Sequence, residues 1–262
     1  MRRCKPSVFF VVACCALAAE SPAEHGKRVV YEALQALGGD AFLQMNDRIE
    51  SGRAYSFYRE RISGLNIAKI YTRYLPPVPG QVEVRERENF GLHEDSSILF
   101  LENGGWEVNF HGARPMEDDR YAAYKITALN NIFYILRQRL HEPELSFYSQ
   151  GTDMLENRPV EIVDITDAAN NTVTVYFDAR SKLPVQQKFR RRNQQFHDFD
   201  TEVTLFALYR NAGGGVMWPC NIRRERNGEK IYEMISEQVE INKSFSDKLF
   251  TLGGGSKGSK GK

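Results

Sequence analysis

Val203-Thr-Leu-Phe-Ala-Leu-Tyr209 is the stretch of this 262-residue chain that decides its fold class. Successive side chains of a strand point to opposite faces. Read as a strand, the stretch puts Val203, Leu205, Ala207 and Tyr209 on one face, and Phe206 and Leu208 on the other. Phe100 and Leu101 likewise point oppositely. A sheet with one wetted face should be polar on that face. Strands that are half apolar on both faces imply a second packed layer, or a curved sheet enclosing an apolar cavity.

The period of two continues outward in both directions. Leu145–Gln150, Arg158–Ile165, Thr172–Phe177 and Leu183–Phe189 precede it, and Val216–Arg224 and Ile231–Ile241 follow. Glu156-Asn157, Asn170-Asn171, Ala179-Arg180-Ser181 and Asn227-Gly228 are turn signals between them. Nearer the N-terminus, two strands run over residues 53–59 and 65–72, until Leu75-Pro-Pro-Val-Pro-Gly80 interrupts the pattern. Val82–Asn89 alternates with its charges expected on one face. Asn103-Gly104-Gly105 marks a hairpin between 97–102 and 106–111, with Trp106, Val108 and Phe110 on a common face. Two segments change to helical spacing. Lys27–Leu37 carries Val30, Leu34 and Leu37 and stops at Gly38-Gly39, after which Asp40 caps a short turn. Asn130–Leu140 carries Ile132, Phe133, Leu136 and Leu140, limited by Pro143. Ten or eleven strands and two or three helices give an α+β class: one large antiparallel sheet with helices gathered on one face.

The ends read differently. Val8–Ala19 is twelve apolar residues behind Arg2, Arg3 and Lys5, and Ala16-Leu17-Ala18 is a cleavage-type site. This describes an export signal over 1–19. An alternative processing box, Val11-Val12-Ala13-Cys14, would leave a lipid-modified Cys14 and a tether. Residues 20–28 read as a linker, 29–251 as one domain, and 252–262 as a flexible Gly/Ser/Lys tail. The whole chain has formal net charge +1. Residues 1–19 hold three basic and no acidic residues, so 32 basic stand against 34 acidic without them, and 29 against 34 without the three tail lysines as well. An acidic body makes nucleic acid an unsuitable partner. Beyond the signal, no apolar run is long enough for a membrane helix. Cys220 is the sole cysteine past the signal, so the domain closes no disulfide of its own.

Chemical motifs are sparse. The five histidines, His25, His93, His111, His141 and His197, show no metal-binding spacing. In His197-Asp198-Phe199-Asp200, strand geometry sends His197 and the two aspartates to opposite sides. Gly213-Gly214-Gly215 has no helix after it and cradles no phosphate. The acids at 86, 88, 94, 95 and 117–119 read as a solvated face, and Cys220 as a small packed residue. Lys188 and Arg190–Arg192, with Arg223, Arg224 and Arg226, form basic runs that would suit an acidic partner or anionic headgroups, or simply a solvated face.

Taken in order, several segments resemble the outer-membrane lipoprotein-sorting (LolA/LolB-like) superfamily over about residues 28–251. They are Leu37-Gly-Gly-Asp-Ala-Phe42, Asn103-Gly-Gly-Trp106, Tyr176-Phe-Asp178 with Leu183-Pro-Val185, Tyr209-Arg210 with Val216-Met-Trp-Pro219, and Ile241-Asn242 with Leu249-Phe250. Two departures stand out: Gly213–Gly215 replaces an acidic residue before Gly-Val, and Leu208-Tyr209-Arg210 replaces Asp-Tyr-Arg. The resemblance implies an incomplete, strongly curved antiparallel barrel with helices over its concave face. It implies a monomeric, periplasmic carrier of lipid or lipoprotein acyl chains, without catalysis, cofactor or metal. The lining expected of the guest space is Trp106, Val108, Phe110, Val173, Val175, Phe177 and Leu205 from strands, and Ile132, Phe133 and Leu136 from a lid helix. Two other functions fit the same residues: an envelope sensor that binds a protein partner near 188–192, or an envelope hydrolase using His111 or His197.

Overall fold

A computed structural model describes residues 20–193 and 197–253. The expected signal over 1–19, Cys14 and the tail from residue 254 lie outside the described residues. Alternation becomes thirteen strands: β1 Asp47–Tyr58, β2 Arg61–Tyr74, β3 Val84–Phe90, β4 Ser96–Leu101, β5 Gly104–Asn109, β6 Gly112–Pro115, β7 Ser146–Leu155, β8 Arg158–Thr166, β9 Thr172–Asp178, β10 Pro184–Asn193, β11 Asp198–Asn211, β12 Met217–Arg226 and β13 Glu229–Ile241. All belong to one antiparallel sheet in the order β6-β5-β4-β3-β2-β1-β13-β12-β11-β10-β9-β8-β7. The sheet is not closed, since β6 and β7 are its edges. Ten or eleven strands were expected; four-residue β6 is too short to show a period.

Helices are α1 Pro22–Leu37, α2 Asp40–Leu43, α3 Asp118–Leu129 and α4 Ile132–Tyr134, the last continuing as a π-helical segment Ile135–Arg139. α1 starts inside the stretch expected to be a linker. Ser21 and Glu24 form a reciprocal capping box and Pro22 opens the first turn, so 22–28 is helix. α3 was not expected at all. Asp118 and Asp119 suit the first turn of a helix, but none of its residues is fully buried. A helix that buries no residue outright leaves little apolar periodicity in its sequence.

The sheet is rolled, and its connections show how far. Gln187 on β10 accepts a hydrogen bond from the Ile132 amide at 2.9 Å. Gln138 donates to the carbonyls of Leu75 and Glu83, between β2 and β3, at 2.7 and 3.2 Å. Strands β10 and β3 are six neighbours apart, about 29 Å in a flat sheet. The six steps from residue 132 to residue 138 span only about 9 Å of helix. A flat sheet cannot satisfy both ends, so the helix-bearing face is concave, as an incomplete barrel requires.

The main core lies on that inner face. α1 contributes Val29, Val30, Ala33, Leu34 and Leu37 against Val163, Ile165, Val173, Val175, Phe177, Phe206 and Trp218. Gly26 sets the approach: a Cβ there would stand 2.9–3.1 Å from the backbone of Phe147, Tyr148 and Ser149. The opening stretch departs from strict alternation. Leu208 adopts φ 55° and drops out of the β11–β12 pairing, which resumes in the same register at Tyr209. The left-handed residue turns the backbone locally and reverses the side-chain alternation. Tyr209 therefore turns to the side of Phe206, packs on the core and donates to the Pro184 carbonyl at 2.7 Å, while Leu208 is exposed.

Candidate functional site: the inner face of the half-barrel

The inner face has two halves of different character. Beneath α1 and the 132–139 segment, Ile132, Phe133, Leu136, Val173, Val175 and Phe177 meet in one cluster, each 3 % exposed or less. These are six of the ten residues expected to line a guest space, from both the lid and the strands. In this conformation they fill the space themselves. Phe133 packs edge-on to Phe206 at 5.0 Å and lies 4.7 Å from Trp218.

The second half, over β13, β1, β2, β3 and β4, is less filled. Ala54, Ala68 and Met234 form a small floor, with Ile70, Phe90 and Tyr232 against it only half buried. Ile98 is half buried as well. The cover here is α3, held by a Tyr124–Phe100 ring stack at 3.7 Å and by the Tyr121 hydroxyl donating to the Leu101 carbonyl at 2.7 Å.

A polar belt separates the halves. The Arg48 guanidinium lies 3.8 Å from the centre of the Trp218 ring and donates to Glu50 at 2.9 Å, Tyr74 at 2.8 Å and Thr72 at 3.2 Å. Glu50 also accepts from Ser236 at 3.0 Å, and Thr72 donates to Glu86 at 3.2 Å. Glu88 follows Glu86 on the same face of β3. Protein surrounds both carboxyls, yet water reaches part of each. Burial raises Glu86, with Arg48 and the Thr72 hydrogen bond opposing. Burial, then the Glu86 carboxyl, pushes Glu88 up to about 8, with Arg224 pulling the other way. The two carboxyls thus share a proton at neutral pH. Burial also raises the Tyr124 hydroxyl well above its usual range, with the two carboxyls adding to it. The open half therefore offers apolar walls and a hydrogen-bonding rim of low net charge. The charges of 82–89 are expected on one face, but strand alternation divides them: the fold points Glu86 and Glu88 inward and Arg85, Arg87 and Asn89 outward. Which set faces inward is decided by the pairing register, which no local pattern carries.

The other four expected lining residues lie elsewhere. Trp106 pairs with Leu99 and Leu99 with Arg87, whose guanidinium donates to the Leu249 and Thr251 carbonyls on the outer face. Trp106 and Val108 therefore face outward. Val108 and Phe110 line an outer groove of ≈ 1210 Å³ with Tyr71, Asn89, Leu92 and Leu252. Leu205, opposite Phe206, lines a separate outer pocket of ≈ 120 Å³ with Leu155, Val185 and Arg223. The basic run divides in the same way: Lys188, Arg190 and Arg192 are outward, whereas Arg191 turns inward and donates to Glu202 at 3.0 Å. His111 and His197 sit in exposed turns of different hairpins. Cys220 is buried, and burial raises its thiol.

No family model matches the chain, and no curated protein matches it by sequence. Solved structures do match in fold. A DUF1329 family protein from Desulfovibrio piger aligns over 90% of this chain and 100% of its own, with TM-score 0.61 and 11% identity. An outer membrane lipoprotein-sorting protein domain from Vibrio parahaemolyticus aligns over 87% of this chain and 97% of its own, with TM-score 0.58 and 11% identity. A LolA superfamily protein from Nitrosomonas europaea covers 86% and 97%, with TM-score 0.53 and 9% identity. At these identities the likeness is one of fold, and the fold is that of the LolA superfamily structures.

Proposed function

We propose that this protein is a non-enzymatic carrier of the cell envelope that seats acyl chains of a lipid or lipoprotein on the inner face of its half-barrel. The supporting observation is the uneven filling of that face. One half is packed solid, while the other leaves Ile70, Phe90, Ile98 and Tyr232 half buried, and α3, which lies against the β3–β5 part of the same half, has no fully buried residue. A guest needs apolar walls and a cover that lifts without unfolding the body. α3 meets the second need, because it is held by partial contacts: the Phe100–Tyr124 stack, the Tyr121 hydrogen bonds, an Arg120–Glu107 ion pair and packing of Tyr124, Ala128 and Leu129 beside Val82, Val84 and Tyr134. The shared proton of Glu86 and Glu88 lowers the charge that a chain would have to pass. Likeness of fold to a lipoprotein-sorting domain agrees with the reading. Export by residues 1–19 would place the protein where such cargo occurs.

The test is mass spectrometry of lipids that co-purify from a native membrane background. Acyl lipids should accompany the parent protein and fall several-fold with Phe90→Ala, whose circular dichroism should be unchanged. A parent protein that carries no lipid would end the carrier reading.

A further inference from the structure

Alternate turns of an antiparallel sheet fall at the same end. Here the β1–β2, β3–β4, β5–β6, β8–β9, β10–β11 and β12–β13 turns share one end. The four most exposed large apolar side chains among the described residues lie in or beside the first three of these turns. They are Phe110 at 86 %, Leu92 at 74 %, Tyr58 at 67 % and Ile62 at 62 %. These three turns are successive neighbours, each about 10 Å from the next. They also belong to the half of the sheet whose inner face is incompletely filled.

The β1–β2 turn adds charge. Arg59 and Glu60 both adopt left-handed backbone, φ 48° and 62°. A two-residue turn of this form suits Asn-Gly, which the β12–β13 turn uses at Asn227-Gly228. Bulky residues there cost local stability. What the chain gains is Arg59 and Arg61 beside Tyr58, with Arg59 at 5.3 Å over its ring. Neither arginine has an ion-pair partner among the described residues. Glu60, Glu94 and Asp95 are the acidic residues of these turns, Glu94 being engaged by Lys69 and Asn89, and His93 and His111 also stand there. The β1–β2 turn is thus net positive on an acidic body.

We propose that this end of the sheet docks on an anionic phospholipid bilayer. Tyr58, Ile62, Leu92 and Phe110 enter the interfacial layer, and Arg59 and Arg61 meet headgroup phosphates. Highly exposed side chains spread over three successive turns suit a fluid interface, which accepts each where it stands. Bare phosphate groups on the lipid answer the unpaired arginines. Docking does not depend on the carrier reading: a protein could sit on the membrane and carry nothing.

The test uses the full chain with vesicles of mixed phosphatidylcholine and phosphatidylglycerol, containing lipids brominated along the acyl chain. Because the apolar residues 8–19 could also bind vesicles, the readout is local. Phe110→Trp reports this end, and Met154→Trp, also exposed, reports the opposite end. The unsubstituted chain supplies the background of Trp106 and Trp218. Emission from position 110 should be quenched and that from position 154 should not. Replacing Arg59 and Arg61 together by Gln should weaken the binding reported by quenching at position 110 about thirtyfold, on the usual worth of a basic residue near an anionic surface. Absence of quenching at position 110, equal quenching at both positions, or capture of a protein partner through the same four side chains without lipid would overturn the proposal.

Discussion

Glu88 is where a single residue reports the character of the inner face. Its ordinary value is 4.5, and in the fold it is pushed up to about 8, by burial first and by Glu86 second. Below the ordinary value the group is protonated in both folded and unfolded chains and contributes no difference. Between 4.5 and about 8 the unfolded chain releases a proton that the fold retains. Stability therefore falls as pH rises through this window and levels off above it. The fall is at most about 1.4 kcal/mol per pH unit, and less here because water reaches the side chain. Glu88→Gln removes the titration. Thermal melts should coincide with the parent below the window and lie several degrees higher above it. A parent and variant with the same pH profile would show that Glu88 ionises normally. The sequence could not announce this. Glu86 and Glu88 alternate with Arg85 and Arg87, and such a strand reads as solvated on any face. Only the register, which aligns Glu88 with Ile70 and Ile98, turns it inward.

At the scale of elements, legibility followed the strength of the buried stripe. Val30, Leu34 and Leu37 announced α1, and Ile132, Phe133 and Leu136 announced the 132–139 segment, because each stripe is wholly buried. The start of α1 was missed because Ser21 and Pro22 also suit the end of a signal. α3 was missed because its contacts are partial. The hairpin at Trp106 was placed correctly but assigned to the wrong face, since a single-residue shift inverts every side chain of a strand. One element contact gives a sharp expectation. Gly26→Ala would gain about 1 kcal/mol of helix propensity. Its methyl group, however, would meet the backbone of Phe147, Tyr148 and Ser149, which cannot turn aside as a side chain can. Overpacking of this kind costs about 1–3 kcal/mol and should prevail. Urea unfolding should show a lower midpoint for the variant with the slope unchanged; a higher midpoint would mean that α1 is free to lift from β7.

At the scale of the whole molecule, segment 131–139 works as a strut that holds the roll of the sheet. At one end Gln187 accepts from the Ile132 amide. At the other, Gln138 binds the Leu75 and Glu83 carbonyls, and the Tyr134 hydroxyl donates to Gln81 and accepts from the Glu83 amide. Arg139 also fixes the strut to Glu142, Asp167 and the Leu129 carbonyl. Gln187 and Gln138 share no partner and stand about two helical turns apart, the situation in which mutational effects normally add within about 0.5 kcal/mol. A strut in tension differs. Releasing either end relaxes the curvature, so the second release removes an interaction already weakened by the first. Gln187→Ala and Gln138→Ala should each cost about 1–3 kcal/mol, the usual price of leaving a buried partner unsatisfied. The double variant should cost less than the two together, by more than 0.5 kcal/mol or so. Strict additivity in a chemical-denaturation cycle would mean that the sheet keeps its roll unaided. The strut would then be cover alone, and opening of the half-barrel would have to be sought in α3.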